Sequence, residues 1–546
     1  MGIEIAISLS QGVTARMFDT NFTGLDWVIV VVYLGGTGCL GIYVNRHVHN
    51  ASDYLVGGRG SGTALSIASF IGTGLGLVTL MYAAMDGFTR GFSFLFIPVL
   101  GMIVPMVLGA TGFVIRRLRQ MCLTTIPEYY QRRFNRRVRV TAGIICALAG
   151  ILNMGLFPKM GATFITFVTG MGSVGVDADI TVNVITTLLI LLALAYTVVG
   201  GMVAVIVTDY IQFVVLSLGL GLGLWMCFIN PVLGWDNMVH TFAAAKGEAA
   251  FNPVHPQSYG WTFVIWMIVQ TFTAAMCWAP EATRALTTRD ERTTKLTFFF
   301  GSPGFFARMA IPALWGIAAF CFIQNHGQLS EYFSPQALQQ HGGRAAEAMP
   351  LLMGNLLPTG LLGLLVAGLM AALMSTHDSY FLAWASVISQ DIVAPFKGID
   401  RLSDRQSILY TRVSVVVIAA FLLTWGIWYE LPESVWTYMA VTGTIYLSGS
   451  SVALIGGMYW RRASSTGALW CILGGLLAIS GLFVKPVQSL LASILDEEIA
   501  DIARWFNEPI CGLGVYAVCL CLFVTGSLLY PDKSETSPGA EKSHES

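Results

Sequence analysis

Apolar residues along this chain come in long blocks, not in the alternation of a half-buried strand or the narrow stripe of a surface helix. A membrane-crossing helix needs roughly 20 such residues. Thirteen stretches qualify: 24–44, 63–85, 92–115, 139–170, 179–199, 203–229, 260–279, 297–323, 357–390, 410–429, 435–459, 465–484 and 508–530. The stretch 63–85 is the least regular, being rich in Gly, Ser and Thr. Its segment IGTGLG, residues 71–76, holds three glycines in five positions. Glycine weakens helical backbone. The run therefore reads either as a close helix contact or as a helix broken at membrane depth. A break is tolerated only where it is buried in protein or lines a cavity.

The polar connections set the orientation. Lys and Arg collect in alternate loops: 45–60, 116–139, 283–295, 397–412 and 459–465. The loops between them are poorer in positive charge, and LDEEIAD within 485–507 is acidic. The positive-inside rule then puts the N-terminus outside and the C-terminus in the cytoplasm. Composition agrees with a membrane protein, since only 11% of 546 residues are charged and 55% are hydrophobic. A soluble domain carries about 25% charged residues. The expectation is one membrane domain over 1–530 and a disordered cytoplasmic tail over 531–546. Neither a signal peptide nor a soluble domain is read, and no nucleic-acid or obligate protein partner is implied. The ten cysteines lie mostly inside apolar runs and form no CxxC pair. They read as small hydrophobes, not as zinc ligands or a disulfide framework.

One apolar run interrupts itself with polar residues, in ALMSTHDSYF at 372–381. On a helix, Ser375, Asp378 and Ser379 share a face, and Thr376 lies about 100° round. Embedded hydroxyls and a carboxylate face the protein interior. They suit a hard cation such as Na⁺ better than zinc. The plainer alternatives are hydroxyls bonded back to their own helix, His377 as a packing residue, and Asp378 at a helix end. A second embedded acid, Asp209, sits in TVVGGMVAVIVTDYIQFVVL with no basic neighbour. It needs a partner, a proton or a cation. Asp86 and Glu281 lie nearer the span ends, where water is expected to reach them. No cluster of embedded Arg or Lys is seen, which disfavours a dianionic solute.

Five stretches together resemble the sodium/solute symporter family, which includes sodium-coupled glucose, proline, pantothenate and sialic acid carriers. They are SDYLVGGRGSG (52–62), TTIPEYYQRRF (124–134), TVVGGMVAVIVTDYIQ (197–212), AALMSTHDSYF (371–381) and GGMYWRRASSTGAL (456–469). The resemblance implies an all-α polytopic membrane protein of the LeuT type. Two inverted five-helix repeats, segments 2–6 and 7–11, would carry one extra helix before and two after. It implies alternating-access symport of a small organic solute with Na⁺ across a plasma or bacterial inner membrane.

The resemblance also implies sites. The main sodium site would take carbonyls of Gly72, Leu75 and Ala372 and hydroxyls of Ser375 and Thr376. A second Na⁺ or a proton would use Asp209, Ser375, Asp378 and Ser379. Solute would lie between segments 2 and 7, where Thr73, Met81, Tyr82, Asn153, Gln270, Trp278 and Tyr438 face it by position. The chain departs from the pattern in places. Some members carry an acid where Gly74 stands. An aromatic pair that gates the sugar carriers falls on Ala274 and Ala275, against a sugar-type pocket. Only Arg284, with Thr283 before it, fits the usual Q-R of segment 7, and Pro280 weakens the helix there. Rival readings are a proton-coupled carrier, a transporter-like sensor, and an intramembrane enzyme using His377 and Asp378. The last pair points about 100° apart on a helix, a poor acid–base arrangement.

Overall fold

The computed structural model describes residues 19–45, 62–74, 76–173, 178–399, 402–484, 487–488 and 507–532. The expected tail and the loops at 45–60 and 485–507 lie largely outside them. Among the described residues the elements are helical. The principal helices are α1 (Gly24–Asn45), α2 (Thr63–Gly74), α3 (Leu77–Arg90), α4 (Phe96–Thr111), α5 (Arg136–Met154), α6 (Phe157–Val168) and α7 (Ala178–Ile229). They continue as α8 (Gly260–Cys277), α9 (Ala279–Thr287), α10 (Glu291–Gln324), α11 (Leu361–Val387), α12 (Asp404–Trp428), α13 (Val435–Tyr459), α14 (Ser465–Gly474) and α15 (Glu508–Leu529).

Ten helices among the described residues are long and apolar enough to cross a membrane. Three shorter apolar helices, Gly24–Cys39, Thr63–Gly72 and Val214–Ile229, fall on the remaining expected stretches. Large apolar side chains point outward, among them Val32, Val417, Trp225 and Trp428. In water such a surface would be costly, whereas lipid accommodates it. Polar loop residues close the helix ends. Asn135 Oδ1 accepts from Val138 N at 3.0 Å to start α5, and Asp290 Oδ1 accepts from Thr293 N at 2.7 Å to start α10. Each satisfies an N–H that has no partner within its own helix.

The stretches 179–199 and 203–229 were expected as separate spans, yet helical hydrogen bonding runs through both as α7, 52 residues long. Leu189 and Leu373 both lie against Gly161, and Thr197 hydrogen-bonds Asp378. Farther on, Val215 and Leu216 flank Gly368, and Gly219 meets Leu365. As α7 runs from Thr197 to Gly219, its partner on α11 moves back from Asp378 to Gly368 and Leu365. The Gly200–Gly201 pair falls between Thr197 and Val215.

Two breaks interrupt the helices. The first separates α2 from α3, with Gly76 extended at φ −92°, ψ 153°. The second separates α8 from α9 at Trp278, at φ −66°, ψ 120°. Pro280 explains the second, because its ring would strike the carbonyl four residues back in a continuous helix. Helix α10 packs across α2, α3 and α4. It approaches α3 so closely that a Cβ on Gly87 would meet the Ala313 carbonyl, and one on Gly316 the Ala84 carbonyl. Small residues allow this contact, as in membrane helix pairs generally.

Candidate functional site

The first break meets the polar run of α11. Thr376 lies against Gly76, where a Cβ would collide with its Oγ1. The Thr376 hydroxyl donates to the Ala372 carbonyl at 2.9 Å. Two oxygens therefore stand side by side at the break, and the hydroxyl oxygen keeps its acceptor lone pairs. Ser375 and Thr376 are both buried. Gly72 sits in the last turn of α2. Leu75 lies outside the described residues, and so does the side chain of Thr73. A set of hydroxyl and carbonyl oxygens fits Na⁺ as a hard cation.

The second set is engaged differently. Asp378 is 1% exposed, and the Thr197 hydroxyl donates to its Oδ1. Ser379 Oγ accepts from Arg284 Nη2 at 3.0 Å. A cation sharing Ser379 would therefore sit near a guanidinium. The side chain of Asp209 lies outside the described residues. His377 is buried, donates Nδ1–H to the Leu373 carbonyl at 2.7 Å, and meets the edge of Phe157. That is a packing role.

A cavity of about 150 Å³ opens beside both breaks. Of the residues expected to face solute, Tyr82, Asn153, Gln270 and Trp278 line it, and Thr376 lines it as well. Met81 and Tyr438 do not line it, and the Tyr438 hydroxyl is committed to the Leu152 carbonyl at 2.7 Å. Asn153 and Gln270 hold the wall in place. Asn153 Nδ2 donates to the Met439 carbonyl at 3.0 Å and to Thr442 Oγ1 at 2.9 Å. Gln270 Oε1 accepts from Tyr516 at 2.8 Å and Thr444 at 3.1 Å. Ala274 and Ala275 also line the cavity, and aromatic walls come instead from Phe157, Tyr380 and Trp436.

One expectation needs correction. Asp86 is not water-exposed: it is 1% exposed, with Ser434 and Tyr259 hydroxyls each 3.4 Å away. Helix α3 continues past it to Arg90, so the acid stays inside the bundle. Glu281 keeps a side chain 23% exposed, as expected, and faces the cavity, because the break at Trp278 turns the first turn of α9 inward. The sequence reading also passed over Arg308. It sits mid-way along α10 in FFARMAI, lines the cavity and is 5% exposed. The rule that singled out Asp209, an ionisable residue in an apolar stretch, applies to it equally.

Outside the spans, Glu347 accepts from the Tyr332 hydroxyl at 2.8 Å. Burial pushes its carboxyl up to about 8, against the pull of that hydrogen bond and of Arg344.

A sequence model described as the sodium:solute symporter family matches residues 54–475. The chain is 25% identical over 532 residues to a sodium/sialic acid symporter of Proteus mirabilis, covering 95% of this chain and 99% of that protein. It is 25% identical over 500 residues to a sodium/mannose cotransporter of Bos taurus, covering 84% and 78%. To the sodium/iodide cotransporter of Homo sapiens it is 26% identical over 476 residues, covering 83% and 68%. A solved structure of a Na⁺-coupled sialic acid symporter, substrate-bound and outward-open, matches with a TM-score of 0.73 at 20% identity, covering 94% of this chain and 99% of that one.

Proposed function

Because this chain belongs to the sodium:solute symporter family, it is a sodium-coupled membrane symporter and not an enzyme, and we propose that its driving ion sits where the α2–α3 break meets α11. The ligands are the carbonyls of Gly72, Leu75 and Ala372 and the hydroxyls of Ser375 and Thr376. The observation that carries this reading is Thr376 resting on Gly76 while bonded to the Ala372 carbonyl. The solute, a small organic molecule, occupies the adjoining cavity.

Na⁺ at this junction ties the broken helix to α11 and favours one arrangement of the bundle over the other. Because Thr376 belongs to both the ion set and the cavity wall, ion and solute share a boundary. Each then strengthens the other's binding by the same factor. One charge crossing 100 mV supplies about 2.3 kcal/mol to this cycle.

Thermal stability of the purified protein, titrated with Na⁺ or K⁺ at fixed pH, tests the placement. Saturable stabilisation by Na⁺ alone is expected. Thr376→Ala should raise the Na⁺ midpoint about tenfold or more, equivalent to about 1.4 kcal/mol. A wild type indifferent to Na⁺ overturns the reading.

A second coupling ion, Na⁺ or H⁺, is favoured by one observation: Asp378 is buried within the apolar helix α11 and accepts from a hydroxyl donor. Asp209, Ser375 and Ser379 complete that set. Asp378→Asn should lower the Hill slope for Na⁺ if the second ion is sodium, and abolish a pH dependence of the Na⁺ midpoint if it is a proton. No change in either rules the second ion out.

A further inference from the structure

The cavity holds a charge pair that its own surroundings leave unsatisfied. Arg308 Nε and Nη1 are buried without a hydrogen-bond partner. Its nearest carboxylate is Glu281, whose Oε1 stands 3.9 Å from Nη2. That separation is too long for a hydrogen bond. The guanidinium carbon lies 3.1 Å over the Phe305 ring centroid. Its Nη1 fills the space where a side chain on residue 74 would be, so a side chain there would displace the guanidinium from this seat. Burying such a group costs several kcal/mol unless charge and hydrogen bonds compensate it.

Other positive character converges on the same space. Helix α3, 14 residues long, begins at the break with no side-chain cap, and Val78 and Thr79 of its first turn line the cavity. Helix α9 also begins beside the cavity. Uncapped N–H groups and the helix dipole favour an anion. Arg308 touches Gly74 and Thr376 touches Gly76, so the guanidinium and the proposed sodium flank the break two residues apart. Among the described lining residues, only Glu281 brings a negative charge against these. A neutral polyol would leave Arg308 with no ionic partner, and an amine would meet like charge. Two carboxylates on one solute would have to share one guanidinium while facing Glu281.

We infer that the solute carries one carboxylate, clamped by Arg308 at the α2–α3 break, with its apolar body against Tyr82, Trp278 and Trp436. This deepens the symport reading and rests on the sodium placement above. It also supplies a physical coupling: the carboxylate lies between Na⁺ and the guanidinium, so each cation raises affinity for the solute.

The test uses full-length protein in detergent with Na⁺. Thermal shift is read against a panel of aliphatic, aromatic, hydroxy, keto and amino carboxylic acids of two to ten carbons. Their amides, the matching amines and a set of hexoses serve as controls. Stabilisation is expected from at least one acid, in Na⁺ and not in K⁺, and lost in its amide. Whether the binder also bears an amine separates plain acids from amino acids, both of which support the carboxylate. Arg308→Gln should weaken the acid roughly tenfold or more, the worth of a charge-assisted hydrogen bond. Glu281→Gln should strengthen it, a direction that misfolding cannot imitate. Binding confined to hexoses or amines, no binding by any acid, or acid affinity indifferent to both substitutions overturns the inference. If Na⁺ alone still stabilises the wild type in those cases, the sodium placement survives. If it does not, that placement has failed as well.

Discussion

Two buried arginines, each with a side chain 6% exposed, answer the same physical problem in opposite ways. Arg139 donates from Nε to Asp391 at 2.7 Å, from Nη1 to Gln131 at 2.7 Å and from Nη2 to the Gln390 carbonyl at 2.8 Å. Thr125 adds a donor to the same Asp391 oxygen at 2.9 Å. Arg308 has a carboxylate 3.9 Å away and two nitrogens with no partner. Equal burial with unequal satisfaction separates a clasp that holds the fold from a group kept open for something that arrives later. Burial alone would not have told them apart.

The largest expected effect falls on the clasp. Arg139→Ala should cost about 3–5 kcal/mol, because Asp391 is left buried and unpaired. Arg139→Met with Asp391→Leu should recover most of it, read as thermal unfolding in detergent. A single-site cost near zero would break the comparison. Next comes Gly74→Ala, which drives a methyl into the Arg308 guanidinium and should cost about 1–3 kcal/mol as overpacking. In an Arg308→Ala background the same change should cost far less, a coupling that a double-mutant cycle measures.

A third neighbourhood, Glu347 with Tyr332 and Arg344, lies outside the spans. A carboxyl raised to about 8 in the folded protein binds its proton more tightly there than in the unfolded chain. Its contribution is full below about 4.5, the ordinary Glu value, and is lost as pH rises through about 8. Stability should therefore fall over that window, by at most about 1.4 kcal/mol per pH unit. Glu347→Gln should flatten the profile. The smallest effect is expected of Arg308→Met without solute. Replacing an unsatisfied cation by an apolar side chain of similar length should move stability by no more than about 1 kcal/mol. A loss matching that of Arg139→Ala would make both arginines clasps.

Much of this was legible in one dimension. Lipid demands long apolar helices, so each of the thirteen stretches lies on helix among the described residues. The glycines at 72, 74 and 76 marked the first break, because three weak helix formers cluster there. The hydroxyls of 375–379 marked α11 as a polar interior face. What stayed hidden depends on how distant segments meet. Arg308 read as one charge in an apolar run, and nothing in its neighbours says that it lies against Gly74. Glu281 read as solvated, but its turn toward the cavity comes from the break at Trp278. Arg284 matched a pattern, but its bond to Ser379 shows only in three dimensions.

The seat of Arg308 against Gly74 has a consequence for how such a carrier can change. The two positions are epistatic. Any side chain at 74 displaces the guanidinium from its seat, and shortening the arginine first removes the group that reads the solute's carboxylate. A chain with an acid at 74 and one with an arginine at 308 are therefore separated by an intermediate that serves neither solute well. Single-step selection would stall at that intermediate, whereas a library varying 74 and 308 together would cross it.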